Sequence, residues 1–466
     1  MITKPKYLEK YFFIILVILF VSVISSNKLL TFVSLISLPI LIKLTYRKGF
    51  TAVFAFMIIW QWIQVTIKII YADLLFLPVS EFVDTNSFSE AVIFSLLGLI
   101  ALAAGIFVAT RKIEPVTTEA LRFETRHFSE RRLFILWLVF SFFNSFVSSI
   151  MFIYMPLQQI FVGLLNIKMI IIAALIFVSF LNNRDKRYVY FVIGAEILLG
   201  FTSYFSGFKS ILFYLVIVTA TIYPKLNFKT SFRYAAIFFL ILTFGLTWLI
   251  VREDYRNYLN QGSGLQEVTI PMSQRLDYLA KLINTIDFGN LAGGIEFSVD
   301  RTSYSDFLAQ VMDRVPAYTS YENGDLFLNT IKHVFMPRLF FPQKKSLDDS
   351  EVTNIYTGRY YAGAFQGASI GIGYMAYYYI DFGKYLMLIF IFLQGVLFGL
   401  VYRYFAKKLN IKFLVYSVTI PLIMSVYLYE TSQPKLIGGL LSSFVIIAIS
   451  IKYWLKYFIT YTRIHK

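Results

Sequence analysis

Long apolar segments recur along almost the whole chain and constrain its fold more than any motif does. A helix needs about 20 apolar residues to cross the hydrocarbon core of a bilayer. Because hydrophobic residues make up 58% of the sequence and charged residues only 15%, a soluble fold has no means to bury the surplus. The sequence therefore predicts an all-α polytopic membrane protein with about twelve transmembrane helices, near residues 10–26, 29–45, 50–71, 88–109, 133–154, 160–181, 187–205, 208–224, 232–251, 384–402, 412–430 and 436–455.

Basic residues predict the orientation of these helices. Clusters of Lys and Arg occupy alternate loops, at residues 47–48, 111–132, 182–187 and 225–233. The positive-inside rule places such loops on the cytoplasmic face. We therefore expect a protein of the bacterial cytoplasmic (inner) membrane, with both termini cytoplasmic and the long loop after residue 251 outside.

The apolar segment 367–381 decides how the chain returns to the membrane. If it crossed, the basic stretch 403–412 would lie outside, and the segment is also short for a span. We therefore interpret it as re-entrant or interfacial. The chain then divides into nine helices over 1–251, an extracytoplasmic region over 252–383, and three helices with a basic cytoplasmic tail over 384–466.

The extracytoplasmic region contains three amphipathic stretches. Residues 273–286, 304–315 and 325–336 each place apolar side chains on one face at helical spacing. Pro316 and Pro337 are expected to end the second and third stretch. The pattern predicts a large helical loop that packs on the bundle or lies in the membrane interface.

Composition excludes several kinds of site. The chain has no cysteine and only three histidines, which excludes thiolate and histidine-rich metal sites. It has no nucleotide-binding motif, and its basic excess is spread over short loops, so nucleic acid is not an expected partner. The acidic run Asp348, Asp349 and Glu351 could bind a divalent cation but is more typical of a solvated loop. We expect no metal and no cofactor.

Arginines on the outer side are the main candidates for substrate contact, because they oppose the positive-inside trend. A guanidinium group grips phosphate through paired hydrogen bonds, and a cluster would stabilise a departing diphosphate. The alternative is pairing with loop carboxylates or with lipid phosphate. The candidates are Arg252, Arg256, Arg301, Arg338 and Arg359, with Lys344.

Other side chains are candidates for proton transfer, for stacking on sugars, or for a role inside the bundle. The candidates for a general base are Glu253, Asp254, Glu296 and His333. Tyr360 and Tyr377 would stack on sugar rings or simply anchor the chain at the interface. Charges within a membrane are costly, so those of Lys68, Lys168 and Glu196 indicate either function or a structural pairing.

The chain resembles the Wzy-type polymerases, which join oligosaccharide repeat units of O-antigen and capsule. The resemblance rests on the large outer loop, on MPRLFFPQKK at 336–345, and on IDFGKYLMLIFIFLQGVLFGL at 380–400. Arg338 and Lys344 match the first motif, whereas Arg252 matches by position alone. Asp381 stands where the family usually has Asn, and Tyr377 where it often has Glu.

This resemblance implies a fold, a reaction and partners. It implies a GT-C-like helical fold and a metal-free glycosyltransferase. The donor and the acceptor would both be undecaprenyl-diphosphate-linked oligosaccharides, and a chain-length regulator protein would be a further partner beside membrane lipids. An O-antigen ligase-like enzyme has the same fold and donor. A lipid-linked oligosaccharide flippase or transporter is the alternative from another class.

The orientation is testable with reporter fusions. We expect a reporter joined after Ser350 to report the outer side and one joined after Lys408 to report the cytoplasm. An outer location for Lys408 would make segment 367–381 a true span and would reverse the topology of everything after it.

Overall fold

The protein is described by a computed structural model over residues 6–150, 158–182, 184–204, 207–224, 228–263, 268–285, 291–336, 338, 340–341, 343–344, 347–363 and 368–464. Within these ranges the secondary structure consists of helices and one isolated β-bridge between Phe128 and Arg463. The α-helices are α1 (Lys6–Ile24), α2 (Lys28–Thr45), α3 (Val53–Leu74), α4 (Phe88–Thr110), α5 (Thr118–Thr125), α6 (Glu130–Ile150), α7 (Gln158–Asn182), α8 (Arg187–Phe201), α9 (Phe208–Ile222), α10 (Phe228–Leu259), α11 (Met272–Asn284), α12 (Leu291–Thr302), α13 (Ser305–Arg314), α14 (Asp325–Phe335), α15 (Asp349–Thr357), α16 (Tyr374–Lys408), α17 (Lys412–Met424) and α18 (Gln433–Thr462).

Each of the expected spans overlaps one of these helices. In the described part of the chain, six helices are long and apolar enough to cross a membrane: Lys28–Thr45, Val53–Leu74, Phe88–Thr110, Gly163–Asn182, Tyr374–Lys408 and Gln433–Thr462. Helix α10 adds a seventh if its two segments, bent by 56°, form one span. Helices α9 and α17 are apolar but shorter. The total of about twelve spans stays a prediction.

Helices α4 and α16 form the closest packed pair of the bundle. Their backbones approach at two glycines, where a β-carbon on Gly105 would lie 2.1 Å from the carbonyl oxygen of Phe392, and one on Gly395 would lie 2.2 Å from that of Leu102. Small residues at such crossings let membrane helices gain packing energy from direct backbone contact. These glycines therefore fix how near α16 lies to α4.

Helix α16 is broken into two arms at Gly383, whose φ of 69° and ψ of −175° are not helical. Met375 of the first arm and Ile391 of the second both lie against Gly98 of α4. The two arms therefore lie side by side as a helical hairpin. The first arm, residues 374–382, is almost entirely buried and enters the bundle without crossing it.

The described helices of the long segment between α10 and α16 pack on the bundle. The amphipathic stretches form α11, α13 and α14, although Ile286 and Pro337 lie outside the described residues. Asp381 accepts hydrogen bonds from the backbone N–H groups of Leu326 (3.0 Å) and Phe327 (2.7 Å), which are unpaired donors at the start of α14. Asp381, where the sequence departs from the resembled motif, thus holds a loop helix on α16.

The α4–α16 contact gives a direct test of the packing. We expect Gly105→Ala to destabilise the protein by about 1–3 kcal/mol, because a β-carbon would meet backbone that has no rotamer to move away. Thermal unfolding in detergent measures the change. Gly194→Ala, in α8 with no atom within 4 Å of the new β-carbon, is the matched control. Equal melting temperatures for the two variants would contradict the close approach.

Candidate functional site

A buried lysine ties the segment after α10 to a helix that is able to cross a membrane. The Lys68 ammonium on α3 lies 2.8 Å from an Asp300 carboxylate oxygen and 2.7 Å from one of Asp306, and it donates to the Phe82 carbonyl oxygen over 3.1 Å. Lys68 is only 5% exposed. Because an unpaired charge at this depth would be costly, the two carboxylates fix the turn between α12 and α13 on α3.

That turn carries two residues into the interior of the bundle. Tyr304 donates its backbone N–H to the carbonyl oxygen of Gln64 over 3.0 Å, and the Ser305 hydroxyl donates to that of Val65 over 2.9 Å. Arg301 and Tyr304 both lie within this docked segment. The ion pairs of Lys68 therefore position the side chains of Arg301 and Tyr304.

Glu430, in the connection between α17 and α18, is the carboxylate around which this site is built. Its side chain lies close to Tyr304 and within electrostatic range of Lys209 and Arg301. Burial raises the pKa of Glu430, and the three neighbours oppose that shift. Burial and the nearby Glu430 carboxylate likewise raise the pKa of Tyr304. One carboxyl group is thus held among cations and a phenol with little water around it.

The site lies well below the far end of α3, at a position that we call the recess. Ala52, at the start of α3, bonds through its backbone N–H to the Thr221 hydroxyl at the end of α9. From there to Gln64, beside Tyr304, the helical rise is about 18 Å, and α3 continues for about 15 Å more to Leu74. Because α9 and α17 are short, Lys209 and Glu430 lie near the floor of this recess.

Two arginines of α10 extend the positive charge on one side. Arg252 and Arg256 both lie within electrostatic range of Arg301. The Arg252 guanidinium lies 5.3 Å from the Phe297 ring centre, and that of Arg256 lies 4.9 Å from the Tyr204 ring centre. Aromatic faces hold guanidinium groups in place while leaving hydrogen-bond donors at their edges. Arg252 and Arg256 therefore adjoin Arg301, which in turn lies near Lys209 and Glu430.

A second group of expected residues lies at the end of α14. Lys344 donates to the carbonyl oxygens of His333 and, over 2.9 Å, of Met336. Burial, with the charges of Lys344 and Arg338, lowers the pKa of His333 to about 4. His333 is therefore neutral at neutral pH and only weakly basic. The Lys344 ammonium is engaged in closing the end of a helix.

The remaining expected site residues are dispersed among other contacts. Glu253 and Asp254 are exposed on α10. Arg359 pairs with Asp84 at 2.7 Å, and this contact raises the pKa of Arg359. Tyr360 is 78% exposed, whereas Tyr377 is buried in the first arm of α16 and hydrogen-bonds to Ser432.

The acidic run at the start of α15 has structural contacts. Asp348 accepts from the Ser350 backbone N–H over 3.0 Å. Asp349 lies 2.8 Å from Lys435 and accepts from the Ser432 hydroxyl over 2.8 Å. Among the residues that the structure describes, no group of three His, Asp or Glu side chains has the arrangement of a metal site.

Lys168 and Glu196, the two other charged residues expected within spans, form an ion pair. Lys168 of α7 lies 2.9 Å from Glu196 of α8, and the Trp137 indole donates to the same carboxylate over 2.7 Å. Glu196 also lines a cavity of about 300 Å3 with Ser210 and Tyr427. The pairing accounts for both charges inside the bundle.

Sequence reasoning missed Lys209, Tyr304 and Glu430. Glu430 is the only acidic residue after Asp381, and Lys209 is the only charged residue between Arg187 and Lys225 apart from Glu196. Both lie in segments assigned to spans, where an isolated charge is a signal of function or pairing. The rarity of these charges was visible in the sequence, but their proximity was not.

The fold and the site define a class of protein. In the residues that the structure describes, it is a helical protein with six or seven helices able to cross a membrane, as in a multi-pass membrane protein, and with a cationic site around one carboxylate.

The chain belongs to the DUF8712 family, a domain of unknown function, whose profile matches residues 10–464. No curated protein and no solved structure matches it significantly.

Proposed function

We propose that the protein is a glycosyltransferase that joins polyprenyl-diphosphate-linked oligosaccharides at the recessed site. The observation that carries the proposal is that Lys209 and Arg301 lie within electrostatic range of the Glu430 carboxylate, with Arg252 and Arg256 near Arg301. A diphosphate needs several cations, whereas transfer to a hydroxyl group needs a base. Few reactions within a membrane need both a cluster of cations and a base.

The cations would hold the diphosphate of the donor. Arginine presents a planar fork of donors that matches phosphate oxygens, and Lys209 adds a point charge. Partial burial makes the electrostatic contact of Lys209 with Glu430 stronger than it would be at the surface. Lys209 and Arg301 together carry more positive charge than Glu430 neutralises, so an anionic group would complete the site. The polyprenyl chain would lie among the membrane lipids.

Glu430 would act as the general base. The acceptor hydroxyl would attack the anomeric carbon of the donor sugar as its proton passes to Glu430. The bond between that carbon and the diphosphate oxygen would break, and the arginines would stabilise the negative charge on the leaving diphosphate. The raised pKa of Glu430 suits this role, because it makes the carboxylate a stronger proton acceptor near neutral pH.

The finer architecture and location are part of the proposal. A GT-C-like fold of about twelve spans, in a bacterial cytoplasmic membrane with both termini inside, would place this recess on the outer face. Lipid-linked repeat units for O-antigen, capsule or exopolysaccharide are polymerised there, and a chain-length regulator would be a natural partner. An O-antigen ligase-like enzyme would use the same donor site with another acceptor.

A transporter or flippase is the rival from another class. The observation in its favour is the Lys168–Glu196 pair beside a cavity between the helices. Transport would depend on the charges of Lys168 and Glu196, whereas glycosyl transfer would depend on Glu430. The two classes therefore make opposite predictions for two carboxylates.

Substitutions in the recess test the reaction. We expect Glu430→Gln to lower the rate of chain growth about 10²- to 10⁴-fold through loss of the base, and Arg301→Ala to lower it about 10²- to 10³-fold through loss of charge stabilisation. Cells carrying either variant should accumulate single repeat units on the lipid, which electrophoresis of the glycan measures. The wild-type rate should fall as the pH drops through the raised pKa of Glu430, above the value of about 4.3 for a free glutamate.

Exposed residues outside the recess provide the controls. Asp277→Asn on α11 and Arg131→Ala at the start of α6 should leave long glycan chains intact at equal amounts of membrane protein. Full-length polymer from both recess variants would refute glycosyl transfer at this site. Loss of function in Glu196→Gln with none in Glu430→Gln would favour transport.

A further inference from the structure

A second cationic cavity lies at the opposite ends of the membrane helices. It has a volume of about 570 Å3 and is lined by Arg122, Arg126 and Arg184 together with Asn182 and Tyr223. Asn182 ends α7 and Tyr223 follows α9, whereas Lys209 of the recessed site is near the start of α9. The arginine cavity, as we name it, is thus separated from the recess by the length of α9, about 22 Å.

Backbone carbonyl groups hold two of these arginines in place. Arg122 donates through Nε to the Leu181 carbonyl oxygen over 3.0 Å. Arg184 donates through Nη1 to the Phe128 carbonyl oxygen over 3.2 Å and through Nη2 to that of Arg126 over 3.1 Å. Carbonyl oxygens orient a guanidinium group without neutralising its charge. The cavity wall therefore stays strongly positive.

Nearby carboxylates do little to offset this charge. Glu130 lies 3.3 Å from Arg184 and reaches that arginine alone. Both oxygens of Glu124 accept backbone N–H groups at the start of α17, each over 3.0 Å, and Asp185 pairs with Arg187 at 2.6 Å. Within the described part of the chain, the Arg126 guanidinium has no hydrogen-bond or ion-pair partner although it lines the cavity. An anion bound in the cavity would balance the positive charge of its wall.

We propose that the arginine cavity binds a phosphate group, either of an anionic phospholipid headgroup or of a soluble phosphate. Three guanidinium groups around one cavity present the paired donors that phosphate oxygens accept. Basic pockets at the ends of membrane helices bind anionic headgroups in the same way. Phe123, 66% exposed beside Arg122, offers an apolar surface to acyl chains. The inference is independent of the reaction at the recess.

Binding is measured by thermal unfolding of the full-length protein in phosphatidylcholine nanodiscs. The two ligand arms are added phosphatidylglycerol and added inorganic phosphate, the latter against chloride of equal ionic strength. We expect the melting temperature to rise with at least one of them. A rise with phosphatidylglycerol alone assigns the phosphate to a lipid headgroup. A rise with inorganic phosphate assigns it to a soluble ligand.

Arg126→Gln is the decisive variant, because it removes no contact within the described residues and should fold normally. The apparent affinity for the effective ligand should fall at least about tenfold, as expected for one lost charge-assisted contact. Arg131→Gln, exposed on the same face outside the cavity, should bind as the wild type does. The proposal is overturned if neither ligand raises the melting temperature, or if Arg126→Gln and the wild type bind equally well.

Discussion

The ion pairs of Lys68 with Asp300 and Asp306 are the interaction on which the candidate site depends. A charge on a membrane helix is stable only with close partners, and both partners come from the loop rather than from the bundle. Removing one partner of a buried pair typically costs about 3–5 kcal/mol, so the loop is held firmly in one position. Arg301 and Tyr304 reach Glu430 only because this turn is drawn down onto α3. A loop that would otherwise lie on the surface thereby becomes the wall of a site within the bundle.

Helix length determines where the charges lie. Helices α9 and α17 are shorter than α3, and Tyr429, beside Glu430, donates its backbone N–H to the Gln64 side chain, so the site lies about 15 Å short of the end of α3. Low water content in that recess explains why burial dominates the shift of the Glu430 pKa despite three favourable neighbours. The other end of α9 meets a different cluster of arginines, so one short helix links two cationic regions on opposite sides of the bundle.

The sequence predicted the local features and missed the distant pairings. Helices α11, α13 and α14 were predicted from the spacing of their apolar residues. Each helix buries one face, and about a dozen consecutive residues are enough to show that pattern. The arginines after residue 251 were expected to form one cluster. The structure places Arg252 and Arg256 within electrostatic range of Arg301, whereas Arg338 lies near Lys344 and His333 at the end of α14. Lys209 and Glu430 were hidden inside apolar runs, and only tertiary packing brings two such distant positions into one site. Lys168 and Glu196 were both conspicuous, yet a single sequence does not reveal that they pair with each other.

The central claim is that the recess around Glu430 holds a diphosphate, and a structure of the protein with a bound polyprenyl-diphosphate-linked sugar tests it most directly. The account predicts that the phosphate oxygens contact Arg301 and Lys209, with Arg252 or Arg256 alongside, and that Glu430 faces the anomeric carbon from the acceptor side. A diphosphate bound to Arg338 and Lys344 instead, with Glu430 still beside Tyr304 and remote from the sugar, would contradict this account.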